Sequence, residues 1–369
     1  MKKTKPIIAI CIDGLDPEYL DIIETPNITT LIDNGFYKHG ECIWPSVTNV
    51  NNVSILTGQY PKVHGICSNY RYVKETREEV YMESSEFILH PTIFTMAKNK
   101  GIKTLLATSK DKLRTLLGKD ATNAISSEQN NPWLNNIIGP PPPIYSLEVN
   151  AWTIRAATYA IREFNPMFTY ITTTDYAMHK YPPKSNESRL HLQLIDSAIG
   201  DLYNQFPEYS ILITADHGMS DKTNLIDPGK ILQEHGIESR PVPLIKDRYV
   251  VHHANLGGGF FIYISEKNLH KAVKILNQVP GIDSVMLTEE AVSQFNLHPE
   301  RIGQIIITGN KETVFGDSSQ VQLPKGLRSH GSQHERAVPI IGYNIDSNYT
   351  EFTENRNVGT YVIASLSLV

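Results

Sequence analysis

The sequence is poor in cysteine, in net charge and in long apolar runs. Cys11, Cys42 and Cys67 are the only cysteines in 369 residues, and none has C-x-x-C spacing. That excludes a disulfide framework and a thiolate zinc knuckle, and reads as three small core residues of a reducing compartment. The 34 basic and 39 acidic residues leave a formal charge of −5 with no basic block, so there is no electrostatic footprint for nucleic acid or an anionic membrane surface. A small anionic substrate would need a local cluster of positive charge. No stretch approaches the roughly 20 apolar residues of a membrane span. Lys2, Lys3 and Lys5 before the apolar run 7–12 imitate a secretory signal, but the run is short and ends at Asp13 without a small-residue cleavage site. The reading is a cytoplasmic protein. Apart from four prolines at 140–143 there is no low-complexity tract, and no internal repeat.

What is present is a rhythm. Apolar runs at 7–12, 103–108, 167–172 and 210–214 alternate with segments of helical spacing at 26–34, 92–99, 149–164 and 188–206. Short continuous apolar runs suit strands buried on both faces of a parallel sheet. The alternation predicts an α/β fold, a mostly parallel sheet between helices. Gly35 stands where the helix 26–34 should stop. From 227 to 319 the rhythm breaks into a Gly257-Gly258-Gly259 turn, an alternating run 260–264, a helix-like stretch 267–278 and an apolar run 302–307. This reads as a smaller α+β insertion, or cap, leaving 1–226 and 320–369 as the catalytic core. Segments 70–91 and 123–143 read as surface excursions.

In open α/β sheets, ligands bind beyond the carboxyl ends of strands. Asp13 follows the first run, Asp175 the third and Asp216 the fourth. Asp175 and His179, four apart, share one face of a helical turn. Asp216-His217-Gly218 brings a second carboxylate and imidazole to a tight strand exit, and the segment 329–334 adds His330 and His334. Singly, each has an ordinary reading: Asp13 as a turn residue, any one of 13 histidines as surface or core. Jointly, a mixed oxygen and nitrogen set at successive strand ends matches two zinc-like divalent ions. Two metals about 3.5–4 Å apart suit in-line displacement at phosphorus. Such a site needs a nucleophile, and Thr48 precedes an amphipathic stretch whose first N–H groups would favour an anionic oxygen. A simple N-cap is the alternative role for Thr48.

The ordered set Ile12-Asp13-Gly14, Thr25-Pro26-Asn27, Pro45-x-x-Thr48, Leu56-Thr57-Gly58, His64-Gly65-Ile66, Asp175-x-x-x-His179, Ala215-Asp216-His217-Gly218-Met219 and His330-Gly331 resembles the alkaline phosphatase superfamily. The likeness is to its nucleotide pyrophosphatase/phosphodiesterase branch and spans 7–342. Within that branch, Thr48-Asn49-x-Asn51-Asn52-x-Ser54-Ile55, the His64-Gly65-Ile66 motif followed by Asn69, and Ser109-Lys110-Asp111-Lys112-Leu113-Arg114 are similar to the phosphonoacetate hydrolases. The resemblance implies an alkaline phosphatase-like core and two Zn2+ ions. One would be held by Asp175, His179 and His330, with His334 the alternative to His330; the other by Asp13, Asp216, His217 and the Thr48 oxygen. It also implies Asn69 as a donor to a phosphoryl oxygen, and Lys110 and Lys112 beside a substrate carboxylate. A solvated helix start is the other reading of the two lysines. Segment 70–100 and the insertion after Asp227 match less clearly, which leaves the outer pocket wall open.

The implied activity is hydrolysis of the carbon–phosphorus bond of phosphonoacetate to acetate and phosphate, through a phosphothreonine at Thr48. The implied partner is a small anionic phosphonate, with neither nucleic acid nor membrane, and a homodimer stays open. Two other functions compete. A phosphodiesterase or nucleotide pyrophosphatase could use the same metals, with Tyr70, Tyr72 and Phe87 clamping a nucleoside. A non-catalytic metal-dependent phosphonate binder is the third, although a metal-activated hydroxyl would serve it no purpose.

Overall fold

A computed structural model describes residues 5–345 and 351–368; Lys2 and Lys3 lie outside the described residues. The four apolar runs form the strands Ile7–Cys11, Thr104–Thr108, Phe168–Thr172 and Ser210–Thr214, every residue of which is buried. They sit inside a seven-stranded sheet in the order Gly35–Glu41, Ala337–Tyr343, Ser210–Thr214, Ile7–Cys11, Phe168–Thr172, Thr104–Thr108, Asn123–Ser126. The last five are mutually parallel, and Ala337–Tyr343 runs antiparallel to both of its neighbours.

Strand periodicity divides the core. Ile7, Ala9 and Cys11 face one hydrophobic layer, shared with the helices Thr48–Thr57 and Ile93–Asn99, while Ile8 and Ile10 face the other, shared with Val149–Phe164 and Asn186–Gln205. All three cysteines are buried and unpaired. In register, Cys11 lies opposite both Thr172 and Thr214, so the three central strands end level. That alignment brings Asp13, Asp175 and Asp216 to one edge of the sheet.

Three sequence expectations change. Asn123–Ser126 is an edge strand paired in parallel with Thr104–Thr108, and Pro132–Ile138 is a helix, so 123–143 is more than a surface excursion. Its strand is too short and polar to declare itself without a neighbour. Segment 70–91 likewise contains a hairpin, Tyr70–Val73 with Glu78–Tyr81. Gly35 does follow the helix Pro26–Asp33 and its C-cap Asn34, yet it is the first residue of the next strand, and a Cβ there would lie 1.9 Å from the Gly342 carbonyl oxygen. Close backbone approach, and not a left-handed cap, is what requires glycine at this position.

Within 227–319 lies a four-stranded antiparallel sheet in the order Ser239–Pro243, Gly259–Ile264, Ile305–Gly309, Ile282–Leu287. A parallel ladder between Asn224–Ile226 and Thr313–Phe315 closes its stem. Phe260 and Ile262 pack under the helix Leu269–Leu276, whereas Phe261 and Tyr263 join the core layer beneath Thr48–Thr57. The insertion is therefore packed continuously with the main core. Among the described residues no helix is long and apolar enough to cross a membrane.

Candidate active site

The level strand ends deliver the carboxylates. Asp13, Asp175 and Asp216 are all essentially inaccessible. Gly14 has φ +76°, and a Cβ on it would sit 3.2 Å from the Asp175 Cβ, so glycine lets the chain turn away while Asp13 stays inside. The N–H groups of Gly14 and His217 both donate to Asp216 Oδ1 at 3.1 Å. His217 Nε2 lies 3.4 Å from Asp13 Oδ1, 3.5 Å from Asp216 Oδ2 and 3.3 Å from Thr48 Oγ1. On the other side, His179 Nε2 and His330 Nε2 lie 2.8 and 3.6 Å from Asp175 Oδ2. The structure thus brings Asp13, Thr48, Asp175, His179, Asp216, His217 and His330 into one buried cluster. His334 lies elsewhere, more than a third exposed, its Nε2 2.7 Å from Asp283 Oδ2.

Thr48 is the first residue of the helix Thr48–Thr57, whose N-cap is Val47, and it forms no capping bond. The simple N-cap reading is set aside, and its hydroxyl faces His217. All ten residues of this helix are buried, so its polar ones must be satisfied internally. Asn51 donates to the carbonyls of Ile43 and Pro45 at 2.9 and 3.1 Å, holding the loop that leads to Thr48. Asn52 donates to the Thr48 carbonyl at 3.0 Å and accepts from the Tyr170 hydroxyl at 2.8 Å. Asn69 Oδ1 accepts from the Asn49 N–H at 3.1 Å, which sets its amide nitrogen as the end left to donate.

Backbone carbonyls fix the three imidazoles. His179 Nδ1 meets Arg328 O at 2.6 Å, His217 Nδ1 meets Gly218 O at 3.0 Å, and His330 Nδ1 meets Ser46 O at 2.7 Å. A carbonyl only accepts, so each Nδ1 carries the proton and each Nε2 turns a lone pair into the cluster, as a metal ligand must. Burial, above all, lowers the pKa of His217 and His330 and favours the neutral rings.

Three buried carboxylates here face one ammonium. Lys110 Nζ is 2.9 Å from Asp13 Oδ2 and 2.7 Å from Asp175 Oδ1. Burial pushes the Asp13 carboxyl well above the usual range, aided by Asp175 and Asp216, and burial with Asp175 raises Asp216 to about 6. Asp175 is held well below that range because Lys110 and His179 outweigh its burial. Among the described residues, Asp13 Oδ1 and His179 Nε2 have no hydrogen-bond partner. Excess buried negative charge, oriented lone pairs and unpartnered ligand atoms together fit divalent cations. Ligand atoms gather within 4.8 Å of one another in three sets: Asp13, Asp216 and His217; Asp175, His217 and His330; Asp175, His179 and His252.

Neither lysine lies on a solvated face, since both are 2% exposed. Lys110 is the extended N-cap of the helix Asp111–Leu117 and Lys112 lies in its first turn, and the two bond to different carboxylates. Lys110 enters the carboxylate cluster. Lys112 pairs with Asp247, whose other oxygen is 2.9 Å from His253 Nε2. Asp247, His252 and His253 come from the insertion and were missed by sequence reasoning: no spacing links them to Lys112, and two more among 13 histidines carry no mark. Glu335, buried five residues after His330 and bonded to Lys222 and Ser332, was also missed, since no short spacing links it to Lys222.

A family model described as type I phosphodiesterase / nucleotide pyrophosphatase matches residues 7–333. The chain belongs to this hydrolase family. Its fold is the family's alkaline phosphatase-like fold. Phosphonoacetate hydrolase from Sinorhizobium meliloti 1021, solved with phosphonoacetate and with phosphonoformate, is 32% identical with a TM-score of 0.89, covering 99% of this chain and 96% of that one. Human ectonucleotide pyrophosphatase / phosphodiesterase 5 shares the fold at a TM-score of 0.75 and 15% identity, with coverage of 99% and 96%. The bis(5'-adenosyl)-triphosphatase ENPP4 of Pongo abelii is 27% identical over 231 residues, 58% of this chain and 47% of the relative. The chain thus spans about half the length of the curated relatives it matches.

Proposed function

We propose that this protein hydrolyses the carbon–phosphorus bond of phosphonoacetate, yielding acetate and phosphate, with two zinc ions at the cluster. The observation that carries the reading is the burial of two ammonium groups at the cluster and its wall, Lys110 against Asp13 and Asp175 and Lys112 against Asp247. Similarity to the Sinorhizobium meliloti enzyme across nearly the whole chain supports it. Asp175, His179 and His330 would hold one ion, and Asp13, Asp216, His217 and the Thr48 oxygen the other. When bound, the ions supply positive charge that lowers hydroxyl pKa values and neutralises phosphoryl oxygens.

The Thr48 oxygen, its proton lost to solvent, attacks phosphorus. As the O–P bond forms, the C–P bond breaks, and its electron pair passes to carbon and spreads onto the carboxylate. Lys110 and Lys112 stabilise that charge where it develops; each charge-assisted hydrogen bond contributes about 1.5–3 kcal/mol, roughly ten- to a hundredfold in rate. Lys112 has three N–H donors, so pairing with Asp247 leaves it donors for a substrate. The carbon then takes a proton from solvent to give acetate. Asn69 donates to a phosphoryl oxygen throughout, and water finally cleaves the phosphothreonine, returning Thr48 and releasing phosphate.

A nucleoside diester fits less well. The Tyr70 hydroxyl donates to Glu79 at 2.8 Å, Tyr72 packs on Tyr263 beneath the Arg240 guanidinium, and Phe87 packs against the core, so the three rings are already engaged. The test is phosphate release by zinc-loaded protein from phosphonoacetate, and turnover of a p-nitrophenyl diester and a dinucleotide. Phosphonoacetate should dominate; comparable turnover of all three would remove the carbon–phosphorus assignment.

A further inference from the structure

Two adjacent histidines of the insertion are buried alike and treated differently. His252 and His253, at the end of the short helix Val250–His253, are 2% and 3% exposed. His253 is fully satisfied: Nε2 meets Asp247 Oδ1 at 2.9 Å and Nδ1 accepts the Asn255 N–H at 2.9 Å. Among the described residues, His252 has no hydrogen bond at either ring nitrogen. Buried polar groups are almost always paired, so an imidazole with both nitrogens unused signals a ligand.

The direction of the ring says where that ligand lies. His252 Nε2 is 3.4 Å from Asp175 Oδ1, the same oxygen that accepts from Lys110 Nζ at 2.7 Å. Lys110 and His252 therefore converge on one carboxylate oxygen from two elements far apart in sequence. The ring is packed among Tyr145, Tyr176 and His179, with centroids at 5.6, 6.1 and 5.1 Å. The residues just before the helix are tied down by their side chains, Arg248 on Glu83 and the Tyr249 hydroxyl on Glu128, each at 2.5 Å. His252 also differs from His179, His217 and His330, because no carbonyl of the described residues holds its Nδ1. Metal-ligating histidines almost always have such an anchor.

We infer that His252 donates a hydrogen bond to the carboxylate arm of the substrate, alongside Lys110 and Lys112, and so selects phosphonocarboxylates over phosphate and simple phosphonates. This rests on the reading of the site as one for a phosphonocarboxylate. It gives the insertion a chemical task at the pocket wall: the strap 247–253 supplies both this donor and the carboxylate that holds Lys112. A neutral donor adds specificity without adding a further charge to a site whose two ammonium groups are already paired with Asp13, Asp175 and Asp247.

Isothermal titration of metal-loaded protein with two probes tests the inference. Phosphonoformate carries the carboxylate; inorganic phosphate lacks it. His252→Phe keeps a ring among Tyr145 and Tyr176 but removes both nitrogens. It should weaken phosphonoformate about tenfold or more, leave phosphate within about twofold, and retain the wild-type metal content. Equal losses on both probes, no loss on either, or loss of metal would each overturn the role, the last by making His252 a metal ligand. His252→Gln, which retains an N–H donor, should recover part of the affinity, and it serves as the measurement if the phenylalanine variant does not fold. Failure of the underlying reading would appear in the wild type itself, as phosphonoformate binding no tighter than phosphate.

Discussion

Replacing Glu335 by glutamine tests whether the segment carrying His330 is held by a buried ion pair. Glu335 is fully buried, and its carboxylate accepts from the Ser220 hydroxyl, from Lys222 Nζ at 2.9 Å, and from the Ser332 N–H and hydroxyl at 2.9 and 2.7 Å. Ser332 O in turn accepts from Ser46 Oγ at 2.6 Å, and the Ser46 carbonyl accepts from His330 Nδ1. Glu335→Gln preserves shape yet leaves the Lys222 ammonium buried without its counter-charge, a change that costs about 3–5 kcal/mol. With 369 residues the unfolding entropy is about 0.8 kcal/mol/K, so the Tm should fall by about 4–6 °C. Although burial raises it, Lys222 and the hydroxyl donors hold the Glu335 carboxyl below its usual range. A depressed folded pKa contributes stability above the unfolded pKa and loses it as pH falls through the folded one, so calorimetry at pH 7 captures the whole effect. The double variant Glu335→Gln/Lys222→Met removes the stranded charge and should recover much of the loss, a non-additivity well above about 0.5 kcal/mol. A single variant within about 1 kcal/mol of wild type, or strict additivity, would refute the argument.

Four further outcomes are expected. Asp216→Ala and His179→Ala should lose bound metal and turnover together in elemental analysis and phosphate-release assays, and His334→Ala should keep both far better than His330→Ala; full activity in chelated protein would end the metal model. Thr48→Ala should fold normally by circular dichroism yet lose turnover severely, with Thr48→Ser retaining part; near-wild-type activity would point instead to direct attack by water. Lys110→Ala and Lys112→Ala should reduce phosphonoacetate hydrolysis about ten- to a hundredfold or more, and Lys112→Ala, whose ammonium is paired with Asp247 and not with a proposed metal ligand, should spare a p-nitrophenyl ester, which has no carboxylate to hold; equal losses on the two substrates would assign Lys112 to the phosphoryl group or the fold. His64, pushed down by burial to about 3, uses Nδ1 to accept the Ile66 N–H and places Nε2 against Ser54. The unfolded state therefore binds a proton that the native state refuses, and stability should fall by up to about 1.4 kcal/mol per pH unit below 6.5, a slope that urea midpoints would show flattened in His64→Gln.

Much of the core was legible because its signals are local. A strand buried on both faces must be a continuous apolar run, and the four runs became the four central strands of the sheet. Asp13, Asp175, His179, Asp216 and His217 were legible because strand ends converge on one edge whatever the intervening chain does. Gly35–Glu41 was not, since its residues are mostly exposed or half-buried and show no alternation. Asn123–Ser126 gained its identity only by pairing with Thr104–Thr108.

The sequence by itself determined the elements and chemical types at the strand ends, because periodicity and short spacings act within a few residues. Tertiary structure alone decided which of His330 and His334 faces Asp175, that Lys110 enters the carboxylate cluster while Lys112 turns to Asp247, and that His252 and His253 from the insertion reach the same pocket. Those pairings join residues from separate elements, many far apart in the chain. Their energies depend on burial and distance, which no local pattern encodes, and they exist only once the core layers have brought the two elements together.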